Sequence, residues 1–436
     1  LRDSGALVVR DGACHLAPDV KDLSALSFPD TAQGVVASRI DRLTASQQLT
    51  IKVASVIGRV FSVRTLRDIH PTDGEGQRLV QDLEILRQLD LTPLETLEPE
   101  PAYLFKHAIT QEVAYQRLLA AQRRQLHRAV AEWYEHAHAG DLSLHLPLLA
   151  HHWRQAISTP GEQPELALKA LDYLDKAAEQ AVRGYANAEV VRFAAGAAAL
   201  AGESERSRGG QPGSAPPDRF RRARWQRWLG DAHYRLGDLR QARLHLGQAL
   251  ELLHQPPMAT QRQAAFALAA GVARQAAHLL LPSRFLGRLS TAERANRLEA
   301  ARAYDTLATV WYFAADRLAF MAGSVHNLNN AERAGASAEL ATGYSMAGLL
   351  ASIFLLPRLA EHYFRRGLET GEAVGDRWAT GMVWLRYGLH YLSYGRWQLA
   401  DAALERGRER FAELGDRRWL EPVSYTHLRA HETGRN

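Results

Sequence analysis

Near the N-terminus, short apolar runs change from strand-like to helical spacing. Ala6–Arg10 and Ala13–Leu16 flank the dipeptide Asp11-Gly12. Glycine readily adopts the positive φ that a tight turn requires, so this stretch predicts a β-hairpin. Pro29-Asp30-Thr31 has the composition of a helix start, and the apolar residues after it recur at helical spacing.

Helical spacing continues to about residue 140 and is broken once by two strand-like runs. Beyond the helix that begins near Pro29, it predicts helices over Ala45–Ile57, Val63–Ile69, Gln77–Leu89, Ile109–Leu119 and Ala121–His138. The strand-like runs, Leu91–Leu97 and Ala102–Phe105, flank a turn rich in proline and glutamate. Helices combined with such a hairpin are typical of a winged-helix domain, which we predict over 29–140.

From about Leu142 onward the pattern is almost entirely helical, and part of it repeats every 40 residues. Leu359–Trp378 aligns with Leu399–Trp419, and the aligned pairs include Gly375 with Gly415. A fixed period of this size predicts an array of helical hairpins. One stretch interrupts the helical pattern: residues 202–218 are rich in Gly, Ser and Pro and predict a flexible loop.

One unit of the array, Leu229–Leu252, resembles the tetratricopeptide repeat. The matching positions are Leu229, Gly230, Gly237, Ala242, Leu246 and Ala249. Small residues where two antiparallel helices cross let the backbones approach, and a large residue fills the groove beside them. The 40-residue period exceeds the usual length of about 34 residues, so longer helices and a related hairpin repeat are both open interpretations.

These patterns predict a mainly α fold, in which a winged-helix-like domain with a small β-hairpin or wing precedes a tetratricopeptide-like solenoid. Stacked hairpins form a concave surface suited to a protein or peptide partner. The aromatic stripe Trp384, Tyr387, Tyr391 and Tyr394 is interpreted as packing between repeats. The predicted segments are 1–28 (hairpin and linker), 29–140 (winged-helix-like), 141–201 (first helical repeats), 202–218 (loop), 219–423 (solenoid) and 424–436 (non-native tail).

Composition and charge narrow the function classes. The net charge is +5, but only five of the 53 basic residues are lysines, and the arginines alternate with acids along the helices. This scattering argues against nucleic-acid binding, which needs a clustered basic face. The longest apolar run, Met346–Leu356, is too short to span a membrane, and the single cysteine, Cys14, excludes an internal disulfide. We therefore expect a cytoplasmic protein.

Both ends of the sequence indicate truncation. The chain begins with Leu1 instead of methionine, so we expect the natural N-terminus to lie upstream. Residues 424–436 break the repeat pattern and resemble a peptide found at the ends of unrelated sequences, translated from a sequencing adapter. We expect the native part of the chain to stop near Val423, and we assign no role to the tail that follows.

Several blocks of the sequence resemble bacterial STAND-type signalling ATPases, in the segments that follow the NTPase core. The blocks are Pro29–Leu43, Ala54–Phe61, Phe105–Tyr115, Arg123–His127, Leu149–Trp153 and Tyr185–Glu189. Many such proteins join a class III adenylate/guanylate cyclase domain, an AAA-like ATPase and tetratricopeptide repeats. The resemblance implies that the parent protein binds ATP or ADP with Mg²⁺, and that the missing NTPase domain is a partner in cis.

The departures from that family are equally informative. The chain contains no G-x-x-x-x-G-K-[ST] sequence, so it lacks the loop that cradles phosphates, and it contains no cyclase core. We therefore expect this fragment to be non-catalytic, a regulatory and protein-binding part of a signalling ATPase. Two alternatives stay open, a fragment of an ATP-dependent transcriptional regulator and a repeat scaffold protein.

The resemblance also implies one nucleotide contact. In the family, a histidine at the end of the wing contacts the bound diphosphate, and His107 in Phe-Lys-His matches that position. An imidazole can donate to a phosphate oxygen, and its charge responds near neutral pH. The alternative is a surface or capping histidine that precedes a helix.

No other site is predicted. His136 and His138, like His151 and His152, are neighbours whose side chains point to different faces of a helix, so neither pair predicts a metal clamp. We expect no metal site, and Cys14 lacks an evident base that would make it a nucleophile. Carboxylate pairs follow helical charge patterning, so no catalytic residue is assigned.

Overall fold

The structure, a computed structural model, describes residues 7–10, 13–16, 31–71, 76–98, 100–159, 163–208, 218–256, 258–281, 287 and 289–415. The chain divides into two compact units. Unit 1 is Leu1–Ala177 with Glu203–Gln211, and unit 2 is Ala178–Gly202 with Pro212–Asn436. Two helices, α8 (Pro164–Arg183) and α9 (Asn187–Arg208), contribute residues to both.

Unit 1 begins with the predicted hairpin. Strands β1 (Leu7–Arg10) and β2 (Ala13–Leu16) pair antiparallel, with Leu7 opposite Leu16. The strands are therefore confirmed. The turn residues 11–12 and the predicted linker up to residue 28 lie outside the described residues.

Seven helices of unit 1 follow: α1 (Ala32–Asp41), α2 (Ala45–Ile57), α3 (Val63–Ile69), α4 (Gly76–Gln88), α5 (Ala108–Gln116), α6 (Ala120–Ala137) and α7 (Leu146–Ala156). Capping side chains place two of the starts: Thr31 accepts from the Gly34 amide, and Thr44 forms a capping box with Gln47. These bonds satisfy amides that no preceding turn can bond. The six helices predicted before residue 140 are confirmed.

A small sheet closes the core of unit 1. Strands β3 (Val60–Ser62), β4 (Leu94–Thr96) and β5 (Ala102–Leu104) are antiparallel in the order β3-β5-β4. The two predicted strands, β4 and β5, are confirmed. Strand β3 was not predicted, because it lies directly between two helices and pairs with the distant β5. The buried rings of Phe61 and Phe105 lie 5.6 Å apart and pack with Ile51, Leu66 and Leu83 in one core.

Unit 2 contains helical hairpins, each with a first helix A and a second helix B. The pairs are α10 (Arg219–Arg235) with α11 (Leu239–Leu252), α13 (Thr291–Phe313) with α14 (Arg317–Ala334), α15 (Ala338–Ile353) with α16 (Pro357–Val374), and α17 (Arg377–Ser393) with α18 (Trp397–Glu413). Helix α12 (Gln261–Leu280) packs against α14. Successive hairpins contact each other, so the predicted mainly α array is confirmed.

The 40-residue period also appears in the backbone angles of two turns, the one between helices A and B and the one that follows helix B. Between helices A and B, Ala315, Leu355 and Gly395 adopt φ of 57°, 58° and 68°. After helix B, three glycines have positive φ, namely Gly335, Gly375 and Gly415. The same left-handed position recurs even where no glycine is present, because the hairpin geometry imposes it.

Close helix crossings explain the small residues of the repeat. A Cβ at Gly230 would lie 2.5 Å from Leu246 Cγ, and one at Gly388 would lie 2.7 Å from Leu404 Cγ. In both hairpins the large residue of helix B occupies the space that the glycine of helix A leaves open. The packing role predicted for Gly230 and Leu246 is confirmed.

The predicted loop over 202–218 needs a correction at its start. Helix α9 continues to Arg208, so residues 202–208 are helical. Glutamates and arginines favour a helix, and Glu203 pairs with Arg154 at 2.9 Å, which holds this turn in place. Residues 209–217 and the predicted tail 424–436 lie outside the described residues. Within the described part of the chain, every helix is too short or too polar to cross a membrane.

Candidate functional site

His107 lies between a strand and a helix, both of which were predicted from the sequence. It follows β5 and is the N-cap residue of α5, with φ −123° and ψ 133°. Its side chain is exposed and makes no capping hydrogen bond. The neighbouring Lys106 forms an ion pair with Asp90, and this hydrogen bond holds the pKa of the Asp90 carboxyl below its usual value. The sensor role of His107 stays a prediction.

A group of three histidines that the sequence did not predict lies elsewhere in unit 1. His127 of α6 and His152 of α7 are buried, and their Nδ1 atoms are 2.8 Å apart. His151 precedes His152 on α7 and is exposed. One ring nitrogen from each histidine lies within 4.8 Å of one from each of the others. We call these three residues the histidine cluster.

The environment keeps the two buried rings neutral. Burial, together with the neighbouring His151 and Arg123, lowers the pKa of His127 to about 3. Burial also lowers the pKa of His152 well below its usual value, with His127 and His151 adding to the effect. Desolvation disfavours the charged imidazolium, so both rings are held in the form that can bind a metal or share a proton.

A cleft of about 670 Å³ adjoins the histidine cluster. Its lining comes from the end of α2, from the N-terminal parts of α5 and α6, and from one face of α7, and it includes Gly58, Ala108, Gln111, Glu112 and Arg123. Ala108 directly follows His107 in the sequence. The three imidazoles, the carboxylate of Glu112 and the guanidinium of Arg123 therefore belong to residues that line one cleft of unit 1.

Sequence reasoning missed the histidine cluster for a definable reason. It compared only histidines that are close neighbours on one helix, such as His151 with His152. His127 lies on a different helix, 24 residues before His151, and reaches the others through the packing of α6 on α7. No spacing rule for a single helix could reveal this arrangement.

In unit 2 the A helices carry charged residues that meet across successive hairpins. Arg227 of α10 donates from Nε to Glu299 Oε1 of α13 at 2.5 Å, and it also pairs with Asp231 on its own helix. Arg302 of α13 donates to Glu339 of α15 at 2.7 Å. The A-helix charge cluster comprises Arg227, Asp231, Glu299, Arg302, Asp305, Glu339 and Arg386. None of these residues was singled out from the sequence.

Asp305 is the least paired carboxylate of the A-helix charge cluster. Its Oδ1 accepts a long hydrogen bond from Asn327 Nδ2, at 3.5 Å. Burial raises the pKa of Asp305, and the positive charge of Arg386 opposes that rise. Arg386 itself donates to the Thr342 carbonyl at 3.0 Å and to Ser345 Oγ at 2.8 Å. A cavity of about 270 Å³ lies beside Asp305.

The aromatic stripe of α17 has a packing role, as predicted. The Tyr387 ring stacks on Phe364 of α16, with centroids 4.6 Å apart and planes 13° apart. Tyr391 stacks on Tyr387 at 4.5 Å, and Tyr394 donates to the Ser352 carbonyl at 3.3 Å. These rings join two hairpins.

Comparisons with known proteins show distant similarity to solved structures alone. No protein family model and no curated protein sequence matches the chain. Among solved structures, it is similar to a signal transduction ATPase with numerous domains (STAND) that has a tetratricopeptide repeat sensor, from Pyrococcus horikoshii. The identity is 10% and the TM-score 0.33. The alignment covers 91% of this chain and 55% of that one, so this chain spans about half the length of that structure. A similarity of this size places the chain in no family.

Proposed function

We propose that this chain is the non-catalytic, regulatory and protein-binding part of a larger signalling ATPase. The sequence blocks that resemble STAND-type ATPases support the assignment to such a parent. In this proposal the winged-helix-like domain holds the missing NTPase domain in its resting state, and the hairpin array binds a partner. Binding shifts the population between resting and active forms when the partner has different affinity for the two.

The observation that carries the proposal is the A-helix charge cluster. Buried charges contribute little to stability, because desolvation offsets their attraction. A half-buried carboxylate beside a cavity, with one long hydrogen bond among the described residues, is unfavourable for folding alone. It becomes favourable when a cation enters the cavity, and Asp305 has this environment. The partner we propose is therefore a peptide segment that places a lysine or arginine side chain beside Asp305.

Selected peptides test this proposal. Peptides of about a dozen residues would be selected from a random display library against the chain, and their affinity measured by fluorescence anisotropy. We expect the selected peptides to carry Lys or Arg, and Asp305→Asn to weaken their binding about tenfold or more, because a desolvated ion pair is lost. Glu369→Gln makes the same charge change on an exposed position of helix B and should leave affinity unchanged. Equal binding to both variants would refute the A-helix site.

The nucleotide contact is tested separately in a longer chain that includes the NTPase domain. His107 is exposed at the start of α5, where an imidazole can reach a phosphate oxygen. His107→Ala should speed the release of bound ADP, while His136→Ala, an exposed histidine on α6, should not. Unchanged ADP retention in His107→Ala would remove the sensor role and leave the protein-binding proposal intact.

The two alternative functions make different predictions about the parent protein. A transcriptional regulator requires a DNA-reading domain beyond the hairpin array, and a scaffold protein requires no NTPase domain. The genomic sequence on both sides of this fragment distinguishes them from the signalling ATPase. A phosphate-binding loop upstream and no recognition helix downstream is the result expected here.

A further inference from the structure

The histidine cluster brings three potential metal ligands to one point. His127 and His152 face each other through Nδ1 atoms 2.8 Å apart, and His151 contributes a third ring whose nitrogen lies within 4.8 Å of both. We propose that His127, His151 and His152 form a site for a transition-metal ion, of which Zn²⁺ fits best. Zinc favours imidazole nitrogen and a tetrahedral arrangement, whereas Mg²⁺ and Ca²⁺ favour oxygen.

The distances require only a small adjustment. Two nitrogens bound to one tetrahedral zinc ion lie about 3.3 Å apart, since each Zn–N bond is about 2.0–2.1 Å long. The two Nδ1 atoms therefore separate by about 0.5 Å when the ion replaces the hydrogen bond between the rings. His151 is exposed, so its ring can rotate towards the ion without repacking the core.

The surroundings of the two buried rings match those of metal-bound histidines. The Tyr115 hydroxyl lies 2.9 Å from His127 Nε2, so it orients the ring with Nδ1 towards His152. A hydrogen bond to the outer nitrogen of an imidazole commonly fixes the tautomer that binds a metal. His152 is buried, and its ring also interacts with the backbone of Ile57 at the end of α2.

The fourth coordination position of the ion would lie on the side of the cleft. Three protein ligands leave the fourth position of a tetrahedral zinc ion open. Here that position faces a cleft whose lining includes the carboxylate of Glu112 and the amide of Gln155. An ion in this place links α6 to α7, because its ligands come from both helices.

Metal titration of the chelator-treated chain tests the proposal. Co²⁺ would be added first, because tetrahedral Co²⁺ gives a strong visible absorption, and Zn²⁺ affinity would be measured by competition with a chromophoric chelator. We expect one tetrahedral Co²⁺ per chain that Zn²⁺ displaces. His151→Ala removes an exposed ligand, so the variant should fold and its Kd for Zn²⁺ should rise about 100-fold or more.

The control variants separate this site from surface binding, because the chain has 18 histidines. His136→Ala removes an exposed histidine of α6 outside the cluster and should leave Kd unchanged. Tyr115→Phe keeps all three ligands and should raise Kd about tenfold. The proposal is overturned if the unaltered chain binds Zn²⁺ no more tightly than His151→Ala, or if the bound Co²⁺ is octahedral. In ring ¹⁵N spectra, Zn²⁺ should shift Nδ1 of His127 and His152, and unmoved signals would overturn it too.

Discussion

The two units differ in the kind of polar side chains that they bury. In unit 1 one buried polar centre is made of imidazoles, which hydrogen-bond to each other and to Tyr115. In unit 2 it is made of full charges that pair between hairpins, as Arg227 does with Glu299. Neutral nitrogens suit a metal ion, and fixed charges suit the charged side chains of a protein partner. This difference is why we propose different ligands for the two units.

The largest loss of unfolding free energy is expected where a buried ion pair loses one of its two residues. Arg227→Met leaves Asp231 without its cation and leaves Glu299 only the longer contact with Arg302, at 3.5 Å. Removing one partner of a buried pair costs about 3–5 kcal/mol. Urea unfolding of the chain would measure it. Arg243→Met, at an exposed position of α11, should change the unfolding free energy by less than about 0.5 kcal/mol.

A double variant shows whether Arg227→Met destabilises the chain by removing a charge or by removing side-chain packing. Arg227→Met combined with Glu299→Leu removes both buried charges, so much of the lost stability should return. If the double variant is as unstable as the single one, the packing of the arginine side chain matters more than its charge.

Substitutions beside the histidine cluster of unit 1 should lower the unfolding free energy less. Tyr115→Phe removes the hydroxyl that bonds His127 Nε2 and leaves a buried nitrogen with one partner fewer. An unsatisfied neutral group costs about 1–2 kcal/mol, which is less than an uncompensated charge. The same urea measurement applies. A loss as large as that of Arg227→Met would contradict the contrast between the two units.

Sequence reasoning succeeded where the signal is local. The bounds of α2 and α3 were predicted because capping residues and helical spacing lie within each element. The 40-residue period was predicted because each hairpin repeats the same turns. Strand β3 was missed because it pairs with β5, some 40 residues away, and shows no alternation of its own.

Both candidate sites depend on contacts that the sequence does not encode locally. Arg227 and Glu299 are 72 residues apart and meet only because α10 and α13 stack. The histidine cluster likewise requires α6 and α7 to pack. The position of His107 was predicted because it rests on a motif within one short stretch, although its role has not been tested.

The smallest expected change in unfolding free energy is a gain, whereas the variants above lose stability. Because burial raises the pKa of Asp305 in the folded state, its charge opposes folding at neutral pH. Asp305→Asn should therefore stabilise the chain at pH 7, by about 0.5–1 kcal/mol. The gain should shrink as pH falls through the raised pKa and vanish below the unfolded value, where both states bind the proton. Unfolding measured between pH 4 and 7 would show a flat difference if Asp305 were unperturbed.

The claim that the A-helix charge cluster serves a partner instead of the fold is tested most directly on a single variant, Asp305→Asn. Its unfolding free energy and its affinity for selected cationic peptides would be measured in the same buffer. Our account predicts that stability rises while peptide binding weakens at least tenfold. A variant that binds the peptides as well as the unaltered chain, or that is less stable than it, would contradict the account.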